Sequence, residues 1–125
     1  MGRQQRFENT RVYELSGLKG ASAFSLPGIG IFVGLTYSTN YSLLRHEYGH
    51  ILQAFSKGFF RFYLLTAPSS LFSAFYEKFN KNYFHKNARV EIEANALAFV
   101  YFGRPENWDI LNFPLKKLTS IKTFQ

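Results

Sequence analysis

The stretch His46-Glu47-Tyr48-Gly49-His50 matches the pattern His-Glu-x-x-His, in which one helix carries two zinc-binding histidines and a general base. With 3.6 residues per turn, His46 and His50 lie on the same helical face, so both imidazoles can reach one metal ion, and Glu47 lies beside its open position. Tyr48 lies on the far side of the helix, where its ring is predicted to pack in the core. The pentapeptide therefore predicts a metal ion, a nucleophilic water and a base at one site.

The residues around the pentapeptide predict that it lies in a helix from Tyr41 to Lys57. Residues 38–40 supply candidates for the N-cap, and Gly58 is suited to a left-handed C-cap. Gly49 is a poor helix former that costs about 1 kcal/mol relative to Ala. We therefore expect another segment to pack closely against Gly49 beneath the metal site.

The segments before this helix are predicted to be extended. Residues 11–15 alternate in polarity and predict a short strand, and residues 21–35 are rich in Phe, Ile, Val and Gly, which is typical of extended structure. Leu26-Pro27-Gly28 predicts a kink or bulge there, because Pro and Gly interrupt regular structure.

The segments after this helix are predicted from the Pro and Gly residues that start and end helices. Residues 60–65 are predicted to form a strand or buried loop, and residues 68–79 a short helix that begins at Pro. A last helix is predicted over residues 85–102, because Gly103 followed by Pro105 is a typical stop signal. The predicted apolar stripe of this helix consists of Val90, Ala94, Leu97 and Tyr101.

Length and composition indicate one domain over residues 1–125, with a core of about 11–112 and flexible termini. A chain of this length buries enough surface to need no disulfides. It contains no cysteine, which excludes Cys-based zinc sites and thiol chemistry and leaves His, Glu and Asp as ligands. Residues 1–10 lack the apolar stretch of a secretory signal, so we expect a soluble protein that is cytoplasmic by default.

The net charge of +7 is compatible with nucleic acid, an anionic membrane surface or an acidic partner. Lys and Arg are scattered, with no run longer than Lys116-Lys117, which argues against a specific nucleic-acid role. The aromatic run at 59–63 suits either a membrane interface or a core built from Phe and Tyr, and the core is the preferred use. No transmembrane segment is predicted, whereas peripheral membrane contact stays open.

A catalytic zinc site needs a third protein ligand besides two histidines. The extended motif with a third His is excluded, because Gln53 and Ser56 stand where it requires Gly and His. The remaining candidates are His85 and the carboxylates outside the pentapeptide. Glu91 is the strongest of them because it lies on the last helix, with Asn95 one turn later on the same face. Asn95 can therefore hydrogen-bond a ligand histidine.

Together the two motifs resemble those of a small gluzincin metallopeptidase. Leu44–Gln53 matches the family's His-Glu-x-x-His helix, and Glu91-Ile92-Glu93-Ala94-Asn95 matches its Glu-x-x-Ala-Asp or Glu-x-x-Ala-Asn motif. The resemblance implies that Glu91, and not Glu93, is the zinc ligand. It also implies a zincin-like fold with an extended strand before the motif helix that forms the upper rim of the cleft. Residues 21–35 stand in that place.

The sequence thus predicts an α+β, zincin-like single domain with a small β-sheet, an active-site helix and a second metal-ligand helix. The predicted activity is peptide-bond hydrolysis with Zn²⁺ held by His46, His50 and Glu91. Glu47 is predicted to take the proton of the water, and Asn95 to orient a ligand histidine. The predicted partner is a peptide or protein substrate.

Two interpretations compete with this prediction. Asn95 stands where the family more often has Asp, which would weaken the polarisation of a ligand histidine. A catalytically weak or inactive zincin-fold protein that binds a peptide or protein is therefore an alternative. A basic module for anionic lipid or nucleic acid is a second alternative. His85 is left with three roles: an oxyanion or substrate contact, an alternative ligand, or simply the first residue of the last helix.

Overall fold

The computed structural model describes residues 4–16, 18, 23–35, 37, 39–80, 82 and 84–115. These residues form an α+β domain in which a four-stranded sheet is followed by helices, as predicted for the fold class. The flexibility expected at the termini falls on residues outside these ranges at both ends. Within the described ranges, no helix combines the length and apolar character needed to cross a membrane.

The sheet contains strands β1 (Gln4–Phe7), β2 (Thr10–Leu15), β3 (Ala23–Leu26) and β4 (Gly30–Gly34). Their spatial order is β1-β2-β4-β3, with β2 and β4 parallel and the other neighbouring pairs antiparallel. The strand predicted at residues 11–15 is confirmed as part of β2. Strand β3 lies at one edge of the sheet.

The segment predicted to be extended at 21–35 forms a hairpin over its described part, residues 23–35. The backbone N–H of Ile29 donates to the carbonyl of Leu26 at 2.8 Å, and Gly28 has a φ of 88°. Pro27 and Gly28 occupy the second and third positions of this turn, which is the type II pattern, because only Gly takes the positive φ without strain. The predicted kink is therefore the turn between β3 and β4.

The helical segments are α1 (Tyr41–Lys57), α2 (Phe59–Arg61), a π turn (Phe62–Thr66), α3 (Ala67–Glu77), a 3-10 turn (His85–Asn87) and α4 (Arg89–Tyr101). The bounds predicted for α1 are confirmed. The Asn40 side chain accepts the N–H of Leu43 at 3.1 Å, and Gly58 ends the helix with a φ of 93°. Local caps therefore set both ends of the motif helix.

The core between the sheet and α1 is mainly aliphatic. It consists of Val12, Ile31, Val33, Leu43, Leu44, Tyr48 and Ile51. The predicted packing of Tyr48 in the core is confirmed. The expectation that the aromatic run at 59–63 builds the core is wrong apart from Phe62, since Phe60 is 80% exposed.

Two predicted elements differ in the structure. Residues 60–65 are helical, although a strand or buried loop was expected. Phe62 and Thr66 are buried, whereas Leu64 between them is 56% exposed. A strand would place all three side chains on one face, so this burial pattern fits a helical segment and not a strand. The last helix begins at Arg89 instead of His85, because Ala88 is extended with a ψ of 146°.

The buried face of α4 also differs from the predicted stripe. Its buried residues are Glu91, Ala94, Asn95 and Ala98. Tyr101, which was assigned to the stripe, is largely exposed. Helix α4 packs against α1 through small and polar side chains, so apolar periodicity alone did not identify the face.

Candidate metal centre

The candidate metal centre lies between α1 and α4. His46, His50 and Glu91 are buried, and their ligand atoms lie within 4.8 Å of one another. The Nε2 atoms of the two histidines lie 3.0 and 3.1 Å from one oxygen of Glu91, Oε1. Ligands about 2 Å from a tetrahedral ion are roughly 3.3 Å apart, so this spacing suits a small metal ion. The structure therefore brings all three predicted ligands together.

Two amide side chains determine which nitrogen of each imidazole faces the centre. The Nδ2 of Asn95 donates to the carbonyl of Pro114 at 2.8 Å, which turns its Oδ1 toward Nδ1 of His46. The Nε2 of Gln53 donates to a backbone carbonyl of α4 at 2.8 Å, and its Oε1 lies 2.7 Å from Nδ1 of His50. Both Nδ1 atoms therefore carry a hydrogen and donate it. The Nε2 atoms are the ones presented to the centre.

The centre requires a positive species among its three inward-facing atoms. Two unprotonated Nε2 atoms and a carboxylate oxygen would otherwise meet with no hydrogen between them. Burial lowers the pKa of His50, but its hydrogen bond to Glu91 and the negative charges of Glu91 and Glu47 raise that pKa to about 9. Burial raises the pKa of Glu91, and the two histidines reverse this and hold that pKa well below its usual range. A metal ion and protons therefore compete for the same lone pairs.

The second oxygen of Glu91, Oε2, contacts residues that lie on neither α1 nor α4. The hydroxyl of Ser70 on α3 donates a short hydrogen bond to Oε2, and Nε2 of His85 lies 3.5 Å from it. Nδ1 of His85 is in turn 2.9 Å from the Ser73 hydroxyl. Glu91 thus turns Oε1 alone toward the histidines. His85 lies on the outer side of Glu91, in the 3-10 turn.

Glu47 lies beside the ligand atoms, in the position predicted for a base. Its Oε2 is 3.9 Å from Nε2 of His46. The hydroxyl of Ser25, on the edge strand β3, lies 2.7 Å from Oε1 and 2.8 Å from the Glu47 carbonyl oxygen. Ser25 therefore fixes one carboxylate oxygen, and the other faces the centre.

A cleft of about 820 Å³ opens onto the centre. Strand β3 lines it, and so do the π turn, α3 and the loop after α4. The ring of Phe113 lies 5.1 Å from that of His46, and Phe62 lies 6.4 Å from His50. These aromatic rings give the ligands an apolar surround, in which charges interact more strongly than in water.

The sequence pointed to the residues that the structure brings together at the centre, but not to all of the side chains that hydrogen-bond to them. Gln53 was assigned no role, although its position three residues after His50 on the same helix was a usable signal. Ser25 and Ser70 are brought to the centre by the β3–β4 hairpin and by α3, and no local pattern marks them. Asn95 contacts His46 as predicted.

In comparisons with known proteins, no protein-family model, curated protein or solved structure matches the chain. The geometry itself provides two imidazole nitrogens and one carboxylate oxygen that could hold a metal ion. A second carboxylate, that of Glu47, lies beside this set.

Proposed function

We propose that this chain is a zinc-dependent metallopeptidase with a zincin-like arrangement of the gluzincin type. The observation that carries the proposal is the convergence of Nε2 of His46 and Nε2 of His50 on one oxygen of Glu91, with Glu47 beside them. The order of sheet, first ligand helix and second ligand helix supports the zincin-like assignment. Two His and one Glu are also a donor set of catalytic zinc sites that leave a fourth position open.

Zinc would be held by His46, His50 and Glu91. When bound, it acts as a Lewis acid that polarises a carbonyl group and lowers the pKa of a water molecule toward about 7. Asn95 and Gln53 keep the two imidazoles in the orientation that presents Nε2. Such hydrogen bonds also make the imidazoles better donors.

Glu47 is the proposed carrier of the proton. Its Oε2 faces the ligands, where it takes a proton from the attacking water and passes it to the leaving amine. Ser25 holds Oε1, so the carboxylate keeps one orientation through both transfers. The carboxylate is also buried, which keeps bulk water from competing for its hydrogen bonds.

The donor set alone does not specify hydrolysis, because two histidines and a carboxylate also bind iron in oxygenases. Glu47 favours hydrolysis, since a carboxylate beside the open position is what water activation needs. A peptide is the proposed substrate because β3 is an edge strand that lines the cleft. An edge strand can bind an extended peptide through main-chain hydrogen bonds.

A peptide-binding protein without hydrolytic activity is a second candidate. The observation that favours it is the neutral Asn95 amide behind His46, where a carboxylate would make the imidazole a stronger donor. Retention of zinc and of peptide binding, with no cleavage across an unbiased peptide library, would support this candidate against the peptidase.

Removal of the metal is expected to abolish hydrolysis reversibly. Protein purified without chelators should contain about one zinc per chain by elemental mass spectrometry, and it should cleave members of an unbiased peptide library. Treatment with a chelator should stop cleavage, and added zinc should restore it. Stoichiometric iron, or cleavage that persists after complete loss of metal, would contradict the proposal.

Substitution of Gln53 by Met is expected to weaken zinc binding about 10- to 100-fold. Met keeps most of the side-chain volume but cannot accept the Nδ1–H of His50, so the imidazole loses its fixed orientation. The affinity is measured by competition with a chromogenic chelator. Leu52→Met is the matched control, because Leu52 is half-buried against the core and makes no contact of this kind. Equal affinities for the two variants would exclude this role of Gln53.

A further inference from the structure

The helical segment from α2 to α3 turns most of its polar side chains toward the protein and its large apolar side chains toward solvent. Its inward side carries one buried apolar residue, Phe62, and is otherwise polar: Thr66 and Ser73 are buried, and Ser70 is bonded to Glu91. Its outward side carries large apolar side chains. A helix on the surface of a water-soluble domain normally shows the opposite arrangement, with its apolar stripe toward the core.

The outward side forms one continuous apolar face, which we call the outer face. It consists of Phe60, Leu64, Leu71, Phe72, Phe75 and Phe79. Each of these side chains is more than half exposed. The spacing of 60, 64, 72 and 75 follows the helical repeat across α2, the π turn and α3, and Phe79 lies in the turn directly after α3. Contiguous exposed apolar surface of this kind marks a binding surface.

Positive charge predominates in the sequence that carries the outer face and in its flanks. Residues 55–89 carry a net charge of +5, out of +7 for the whole chain. The positive residues are Lys57, Arg61, Lys78, Lys81, Lys86 and Arg89, and the negative one is Glu77. In the structure Lys57 is paired with Glu93, whereas Arg61, Lys78 and Arg89 are exposed. Phe and Leu on one side of a helical segment with surrounding Lys and Arg are the features of a segment that lies in a membrane interface.

We propose that the outer face binds the surface of an anionic lipid bilayer, with its Phe and Leu side chains at the boundary of headgroups and acyl chains. A second copy of the chain fits the face less well, because a two-fold contact would bring together two surfaces that both carry the exposed cations Arg61 and Lys78. Anionic headgroups instead neutralise the charge while the acyl boundary takes up the apolar side chains.

The outer face extends to the rim of the metal-centre cleft. Leu71 belongs to the face and also lines the cleft, next to Ser70. Membrane binding through this face therefore places the rim of the cleft at the lipid surface. The proposal concerns binding alone, so it stands or falls independently of the proposed peptidase activity.

The test is flotation of the full chain with phosphatidylcholine vesicles prepared with and without phosphatidylserine. Binding is expected with phosphatidylserine, and it should weaken as salt is added. The triple variant Phe60→Ser, Phe72→Ser and Phe75→Ser is expected to bind more than about a hundredfold more weakly. Arg61→Gln combined with Lys78→Gln should weaken binding roughly thirtyfold.

The matched control is the triple variant Val100→Ser, Ile110→Ser and Leu111→Ser, whose side chains are also more than half exposed but lie outside the outer face. It should bind as the unaltered chain does, and circular dichroism should show all variants folded. Absence of binding to phosphatidylserine vesicles would overturn the proposal, and so would equal binding by both triple variants. A dimer that the Phe triple variant dissociates, without any vesicle binding, would assign the face to a second copy.

Discussion

Substitution of Glu47 by Gln is expected to reduce peptide hydrolysis about 10²- to 10⁴-fold while zinc remains bound. Gln has the same shape but cannot take a proton from water, so the loss falls on the chemical step. The ligand atoms of His46, His50 and Glu91 are not altered, and Ser25 can still donate to the new carbonyl oxygen. The measurement is kcat/KM on a cleaved library peptide, together with zinc content on the same preparation.

Two further variants make this result interpretable. Glu106→Gln removes an exposed carboxylate that lies outside the ligand set and outside the lining of the cleft, and it should leave activity within about twofold. His46→Ala removes a ligand, so zinc and activity should fall together. A fully active Glu47→Gln protein that still contains zinc would refute Glu47 as the base. Loss of zinc from Glu47→Gln would instead show that Glu47 serves the metal site itself.

The motif helix and its ligands could be predicted because their determinants are local. The cap at Asn40, the stop at Gly58 and the spacing of His46 and His50 are all properties of one stretch of seventeen residues and its flanks. Glu91 and Asn95 could be predicted for the same reason, since they lie one turn apart on one helix. These inferences needed the helical repeat and the chemistry of the side chains, and the choice of Glu91 over Glu93 also drew on the resemblance to gluzincins.

The remaining supports of the centre depend on contacts between segments distant in sequence. Ser25 reaches Glu47 across 22 residues, and Ser70 reaches Glu91 across 21. Serine is common in loops and at helix starts, so the presence of a serine at either position does not indicate such a contact.

The secondary structure of residues 60–65 was predicted wrongly for a related reason. Phe, Tyr and Leu suit a strand as well as a helix, and the burial of Phe62 and Thr66 with Leu64 exposed between them decides for the helix.

Substitution of Gly49 by Ala is expected to destabilise the fold, although Ala is the better helix former. The propensity gain is about 1 kcal/mol. Against it, a Cβ at Gly49 would lie 2.1 Å from the carbonyl oxygen and 2.7 Å from the carbonyl carbon of Ala94. Backbone atoms cannot turn away as a side chain can, so α4 must move away from α1. Overpacking of this kind costs about 3 kcal/mol or more, which leaves a net loss of about 2 kcal/mol.

The predicted displacement also separates the metal ligands, because Ala94 lies between Glu91 and Asn95 on α4. Gly49→Ala should therefore lower the Tm by about 6 °C or more and weaken zinc binding by more than about tenfold. Ser56→Ala on the exposed side of α1 is the control, and its stability should change by less than about 0.5 kcal/mol. If Gly49→Ala were more stable than the unaltered chain, α1 and α4 could not approach as closely as described. The shared contact of His46 and His50 with Glu91 depends on that approach, so this result would also contradict the proposed set of metal ligands.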